Sequence, residues 1–242
     1  MAQIDSLDVL AFGPHPDDVE FGCGGYLVTS ARAGKRVGII DMTEGEMSTN
    51  GTVAARLEEA QAAADIMGVV MRENLQLPNN YLYNSPEVQE KIVTAIRTYR
   101  PNTILIPYDY DRHPDHENAS RLVREAVFTS GLIKYKTGDL APHRPKHFYF
   151  YSLWCEFEPS FILDVTDVWD VKTQALLAHT SQFSTTKDTI PTIDTQDSTK
   201  LFWEARARHY GFKINASFGE PYKSVYFPIG IRNPDDLLPN LF

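Results

Sequence analysis

Val9-Leu10-Ala11-Phe12-Gly13 runs directly into Pro14-His15-Pro16-Asp17-Asp18. A short apolar run closed by glycine predicts a buried strand, and the polar turn after it marks the strand's carboxyl end. Working outward, Gly24 to Ala33 reads as a helix stopped by Gly34, and Val37 to Ile40 as a second strand ending in Asp41. A polar loop, Thr43 to Gly51, leads to Val53, Leu57, Ala60, Ala64 and Met67 at helical spacing, with Thr52 as N-cap and Gly68 as stop. Ser85-Pro86 starts another helix, with an apolar stripe at Val88, Ile92, Ala95, Ile96 and Tyr99 and an end at Pro101. Thr103 to Ile106 is a β-branched strand, and Asp115 is expected to cap a helix carrying Ala119, Leu122, Val123, Ala126 and Val127.

The second half is less regular. Phe148 to Leu153 and Phe161 to Val165 read as strands, and Val168 to His179 and Thr199 to His209 as helices. Ser184 to Ser198 is Thr-rich and polar, a long loop and a candidate lid. Strands alternating with single helices imply βαβ crossovers and a mostly parallel sheet. The expected fold is therefore a single-domain, Rossmann-like α/β architecture over residues 1–242, with helices flanking the sheet.

The chain has 242 residues, with 43% apolar and 23% charged residues, an ordinary globular composition. Its formal net charge of −9 argues against binding along a phosphate backbone, so no nucleic acid partner is expected. Two cysteines, Cys23 and Cys155, exclude a disulfide framework and a cysteine-rich zinc site. The first eight residues lack a basic and then apolar leader pattern, and no apolar run reaches the ~20 residues of a bilayer span. A cytoplasmic protein with no membrane partner is expected.

Ligands of open α/β sheets bind outside the carboxyl ends of the strands. Three polar clusters fall there: Pro14 to Asp18, Asp41 to Glu46, and Asp109 to His116, which includes Arg112-His113-Pro114-Asp115-His116. His15 and Asp18 can reach one ion across a turn, and His116 can supply a third ligand. Two histidines and a carboxylate suit zinc with its fourth position open to water, and they also accept iron, cobalt or manganese. Asp17 is then adjacent to the site and free to act as general base. His113 can face the substrate oxygen or the leaving nitrogen. The plainer alternative is that each His-Pro-Asp is only a turn. Asp17-Asp18 argues against it, since adjacent carboxylates repel unless a cation is present.

Gly13-Pro14-His15-Pro16-Asp17-Asp18-Val19-Glu20, Thr43-Glu44-Gly45-Glu46, Arg56 with Glu59-Ala60, and His113-Pro114-Asp115-His116 resemble the PIG-L/LmbE-like zinc deacetylases. Ser48-Thr49-Asn50-Gly51-Thr52 and Arg72-Glu73-Asn74-Leu75 look closest to the branch that deacetylates N-acetylglucosaminyl malate in bacillithiol biosynthesis. The resemblance implies zinc on His15, Asp18 and His116, with Asp17 as base. It implies that His113 stabilises the oxyanion as an imidazolium or protonates the leaving nitrogen, oriented by Asp115. Arg56 would bind sugar hydroxyls, and Arg112 and Arg144 are candidates for the malyl carboxylates. Where the branch carries an aspartate after Leu-Pro, this chain has Asn79. Asn79 can still donate and accept. The family also implies a homo-oligomer, with a hexamer as the reference case.

The implied substrate is a small N-acetyl amino sugar. Two alternatives stay open: deacetylation of another N-acetylglucosamine derivative, and metal or sugar binding without turnover. Gly22-Cys23-Gly24-Gly25 lacks dinucleotide-fingerprint spacing, and Cys23 reads as a small buried residue. His143, His147, His179 and His209 read as structural or surface residues.

Overall fold

A computed structural model describes residues 6–226; residues 1–5 and 227–242, part of the expected domain, lie outside the described residues. One seven-stranded sheet runs through the chain in the order β3-β2-β1-β4-β5-β7-β6. Its strands are β1 (Val9–Gly13), β2 (Val37–Thr43), β3 (Met71–Leu77), β4 (Thr103–Pro107), β5 (His147–Tyr151), β6 (Phe161–Asp164) and β7 (Gly219–Ser224). Strands β1 to β5 are parallel, and β7 runs antiparallel to both β5 and β6. The helices are α1 (Asp18–Arg32), α2 (Val53–Met67), α3 (Pro86–Tyr99), α4 (Pro114–Ser130), α5 (Trp169–Leu177), α6 (Thr180–Phe183) and α7 (Asp197–Phe212). This is the expected Rossmann-like α/β fold. Among the described residues, no helix is long and apolar enough to cross a membrane.

Strand periodicity divides the core into two layers. Leu10 and Phe12 of β1, with Ile40 and Met42 of β2, pack against Ile92 and Ile96 of α3 and Leu122 and Val123 of α4. Val9 and Ala11, with Val37 and Ile39, face Leu27 of α1, Met67 of α2 and Leu176 of α5. The central strands β1, β2 and β4 are buried on both faces, which explains their unbroken apolar runs. Thr52 caps α2 by accepting from the Ala55 N–H at 3.2 Å, and Ser85 caps α3 by accepting from Val88 at 3.2 Å.

Several boundaries differ from the sequence expectation. Strand β3 is polar because it is an edge strand, and its Arg72 turns inward to a buried charge cluster. Helix α1 begins at Asp18, six residues before the expected start, and is kinked at Cys23 (φ −141°). Just past the kink, the Glu220 carboxylate accepts from the Gly25 and Tyr26 N–H groups, at 2.8 and 2.9 Å. A Cβ on Gly25 would lie 2.7 Å from that carboxylate, so only glycine fits. Strand β7, which carries Glu220, has no apolar alternation to announce it. The cap of α4 is His113, whose Nδ1 accepts from the Asp115 N–H at 3.1 Å; Asp115 lies inside the first turn. The expected helix Val168 to His179 is a 3-10 turn (Thr166–Val168) followed by α5, and α7 starts two residues before Thr199.

Candidate metal centre and active site

Strand β1 lies between β2 and β4, where the strand order reverses direction. The β1–α1 and β4–α4 loops therefore part on either side of a crevice, the usual ligand position in this fold. The first loop delivers His15, Asp17 and Asp18; the second delivers Asp111, Arg112, His113, Asp115 and His116. A cavity of about 420 Å³ opens over them, within the range of small-ligand sites.

His15, Asp18 and His116 are all buried, with one potential ligand atom from each lying within 4.8 Å of the others. Asp18 bridges the two rings: Oδ2 is 3.1 Å from His15 Nδ1, and Oδ1 is 3.4 Å from His116 Nε2. Tetrahedral zinc with arms near 2.05 Å has ligand–ligand edges of roughly 3.4 Å. The donor set and its spacing therefore fit zinc. Each imidazole also carries a carboxylate on its other nitrogen: Asp115 on His15 Nε2 at 3.4 Å, and Asp111 on His116 Nδ1 at 2.9 Å. Such outer carboxylates fix ring orientation and raise ligand basicity. Asp111 is further held by the Trp154 N–H at 3.0 Å.

The charges point the same way. Burial alone would lower the His15 pKa, yet its contacts with Asp115 and Asp18 raise it to about 10. A carboxylate cluster that draws a proton this strongly also favours a divalent cation. Burial pushes the Asp17 carboxyl up to about 7, with Arg56 holding it back and Asp18 adding to the rise. Burial also lowers the His113 pKa, to about 4, helped by His15 and His116. Both effects push His113 toward the neutral ring rather than the expected imidazolium. Because its Nδ1 accepts the Asp115 N–H, the ring proton belongs on Nε2.

Other expectations divide. Asp115 does not orient His113 through its carboxylate; that group serves His15 and the Asn80 N–H. Arg56 lines the cavity but spends its two terminal nitrogens on Asp17 Oδ2 (3.1 Å), the Pro16 carbonyl (2.6 Å), the Gly45 carbonyl (3.3 Å) and Ser48. It braces Asp17 rather than offering a free fork. Gly45 (φ 66°) makes room for it, since a Cβ there would overlap the guanidinium. Asn79 and Arg112 line the cavity. The Arg112 guanidinium stacks over Trp154 at 4.3 Å and has no hydrogen-bond or ion-pair partner among the described residues. Arg144 is not at the site. It precedes β5, at the amino ends of the parallel strands, and stacks on Phe128 at 5.3 Å.

Sequence reasoning gave no role to Asp111, Asp194, Trp154 or His179. Asp111 had a usable signal, a carboxylate five positions before His116. Asp194 had none, since the Ser184 to Ser198 loop has no periodicity. The structure brings Thr192 and Asp194 of that loop to the cavity wall. His179 is fully buried, with Nε2 3.1 Å from Glu20 Oε1, behind the site.

Residues 10–127 match the PIG-L family model, described as GlcNAc-PI de-N-acetylase. Over 193 residues, 74% of this chain and 71% of the relative, the sequence is 36% identical to the diacetylchitobiose deacetylase of Thermococcus kodakarensis. This chain belongs to the PIG-L family. Another relative is the probable N-acetyl-α-D-glucosaminyl L-malate deacetylase 2 of Bacillus cereus, 25% identical over 230 residues, 85% of this chain and 97% of the relative. The kinship expected with that branch is thus the weaker of the two. Among solved structures, a conserved protein of Thermus thermophilus superposes on this PIG-L family chain with a TM-score of 0.86. It is 35% identical, and the match covers 94% of this chain and 98% of that one. The N,N′-diacetylchitobiose deacetylase of Pyrococcus horikoshii gives a TM-score of 0.79 at 27% identity, covering 97% and 89%.

Proposed function

We propose that this chain is a zinc-dependent hydrolase that removes acetate from a small N-acetylglucosamine derivative. The observation that carries the reading is the arrangement of His15, Asp18 and His116 beside a further carboxylate, Asp17, at the floor of one cavity. Zinc held by those three residues would polarise the amide carbonyl and acidify the attacking water. Asp17, whose carboxyl is raised to about 7 by burial, takes the proton of that water. Arg56 holds Asp17 in place. His113 offers its Nε2–H to the oxygen that gains charge as the carbonyl carbon becomes tetrahedral. Asp17 then returns its proton to the nitrogen, the C–N bond breaks, and acetate and the free amine leave. A pure binding protein has no use for a base beside the metal, which weighs against the non-catalytic alternative.

Two conjugates fit the reading. A neutral N-acetylated disaccharide is supported by the 36% identity to a diacetylchitobiose deacetylase. The malyl conjugate is supported by Arg112, a partnerless guanidinium in the cavity wall. Cysteine thiols at Cys23 and Cys155 agree with a cytoplasmic setting. A homo-oligomer would bury the exposed Phe128 and Ile133, 58% and 77% accessible.

The test is acetate release from both conjugates by purified protein, chelated and then restored with zinc. Turnover abolished by chelation and recovered with zinc is expected. Undiminished turnover after complete metal removal would overturn the metal mechanism, and no acetate from any N-acetylglucosamine derivative would overturn the deacetylase.

A further inference from the structure

The segment from α6 to α7 contributes Gln182, Phe183, Thr192 and Asp194 to the cavity wall and is tied down at several points. Glu59 of α2 accepts from Thr180 Oγ1 and Ser181 N, both at 2.7 Å. Asn50 pairs reciprocally with Ile190, its Nδ2 donating to the carbonyl at 2.8 Å and its Oδ1 accepting from the N–H at 3.0 Å. Gln182 Nε2 donates to the Asn50 carbonyl at 2.9 Å. Within the segment, Thr192 and Thr195 brace one turn: Thr192 N donates to Thr195 Oγ1 at 3.0 Å and Thr195 N to Thr192 Oγ1 at 3.4 Å. Asp194 is carried on that turn, half-buried, in the wall of the active-site cavity. Burial pushes its carboxyl up, and Arg112 is the cation that most strongly holds it back.

Arg112 alone would make this wall a carboxylate receptor. Asp194 lines the same cavity beyond ion-pair distance of Arg112, and its carboxylate charge opposes an anion there. An anionic ligand group gains from Arg112 and loses to Asp194, whereas a hydroxyl donates to the carboxylate and accepts from the guanidinium.

We propose that Asp194 is a specificity-determining residue. It offsets the charge of Arg112, so that the cavity admits a neutral, hydroxyl-rich partner of the N-acetylglucosamine ring and disfavours an anionic one. This rests on the deacetylase reading and chooses between its two conjugates.

The test compares N,N′-diacetylchitobiose with N-acetylglucosaminyl malate on the zinc-loaded full chain, as wild type, Asp194→Asn and Asp194→Glu. The wild type is expected to favour the neutral probe in kcat/KM by roughly tenfold, the scale of one screened charge contact. Asp194→Asn should lower that ratio about tenfold, mainly through a smaller KM for the acidic probe. Asp194→Glu should keep the wild-type preference. Calorimetric Kd values for the two deacetylated products, on the same variants, report selectivity without turnover. Turnover with ratios that Asp194→Asn leaves unmoved overturns this inference alone, as does a wild type that prefers the acidic probe. No turnover, with a product-binding ratio that shifts as stated, overturns the deacetylase and sustains the role of Asp194. Neither turnover nor binding overturns both.

Discussion

Asp17 stands at φ 125°, a conformation that non-glycine residues rarely adopt and that costs of order 1–3 kcal/mol. The surrounding structure holds it there: the Asp17 carbonyl accepts from Phe21 N at 3.0 Å, and Arg56 grips the carboxylate. The strain turns Asp17 into the cavity while Asp18, the next residue, faces the two histidines. Asp17→Asn keeps the shape and removes the proposed base. Its kcat is expected to fall by roughly 10²–10⁴, with zinc content by elemental analysis unchanged. An Asp17→Asn enzyme that keeps wild-type kcat would remove Asp17 from the mechanism. Asp111 acts through His116, so Asp111→Asn should weaken zinc binding about 10–100-fold in a competitive chelator titration. At saturating zinc most of the activity should return; a permanent loss would mean that Asp111 does more than orient the ring.

Among the elements, α1 and β3 are shaped by charges rather than by apolar pattern. Arg72 of β3 forks onto Asp41 (2.7 and 2.9 Å) and reaches Glu20 of α1, which His179 also contacts. Burial alone would raise the Glu20 carboxyl, but Arg72 and His179 bring it down to about 2 from an ordinary 4.5. A carboxyl whose folded pKa is depressed stabilises the fold fully above its unfolded value, and that contribution is lost as pH falls toward the folded one. The metal-free protein should therefore lose on the order of 3 kcal/mol from this group between about pH 4.5 and pH 2. Urea unfolding across that window is the measurement. Glu20→Gln should be less stable near neutral pH and show a shallower decline in acid. An equal slope in both proteins would mean that Glu20 is not the group responsible.

For the whole molecule, the site spans the two halves of the sheet. His15 and Asp18 follow β1, and His116 follows β4, so the metal would join both loops across the crevice. Ligand bound only by the folded state stabilises it by about 4 kcal/mol at a thousandfold excess over Kd. At ~2–4 °C per kcal/mol for a chain of this size, zinc saturation should raise the melting temperature by roughly 10 °C over the chelated protein. Calorimetry of the two forms checks this. Coincident melting curves would show that these residues hold no zinc in the folded state.

The strand–helix alternation, the parallel sheet and the three polar clusters at strand ends were legible in the sequence, because each rests on local periodicity and on residues close together in the chain. His15, Asp17, Asp18, His113 and His116 were legible for the same reason, in two short motifs. The polar edge strand β3 and strand β7 were not, since their roles are to seat Arg72 and Glu220 against distant partners. The carboxylate partner of each histidine, the commitment of Arg56 to Asp17, the exclusion of Arg144 from the cavity and the arrival of Asp194 all depend on contacts between remote segments. Local pattern sets which residues can fold into a strand or chelate an ion. Only the packed sheet decides which charges end up facing one another in a low-dielectric cavity, because that distance is fixed by topology rather than by separation along the chain.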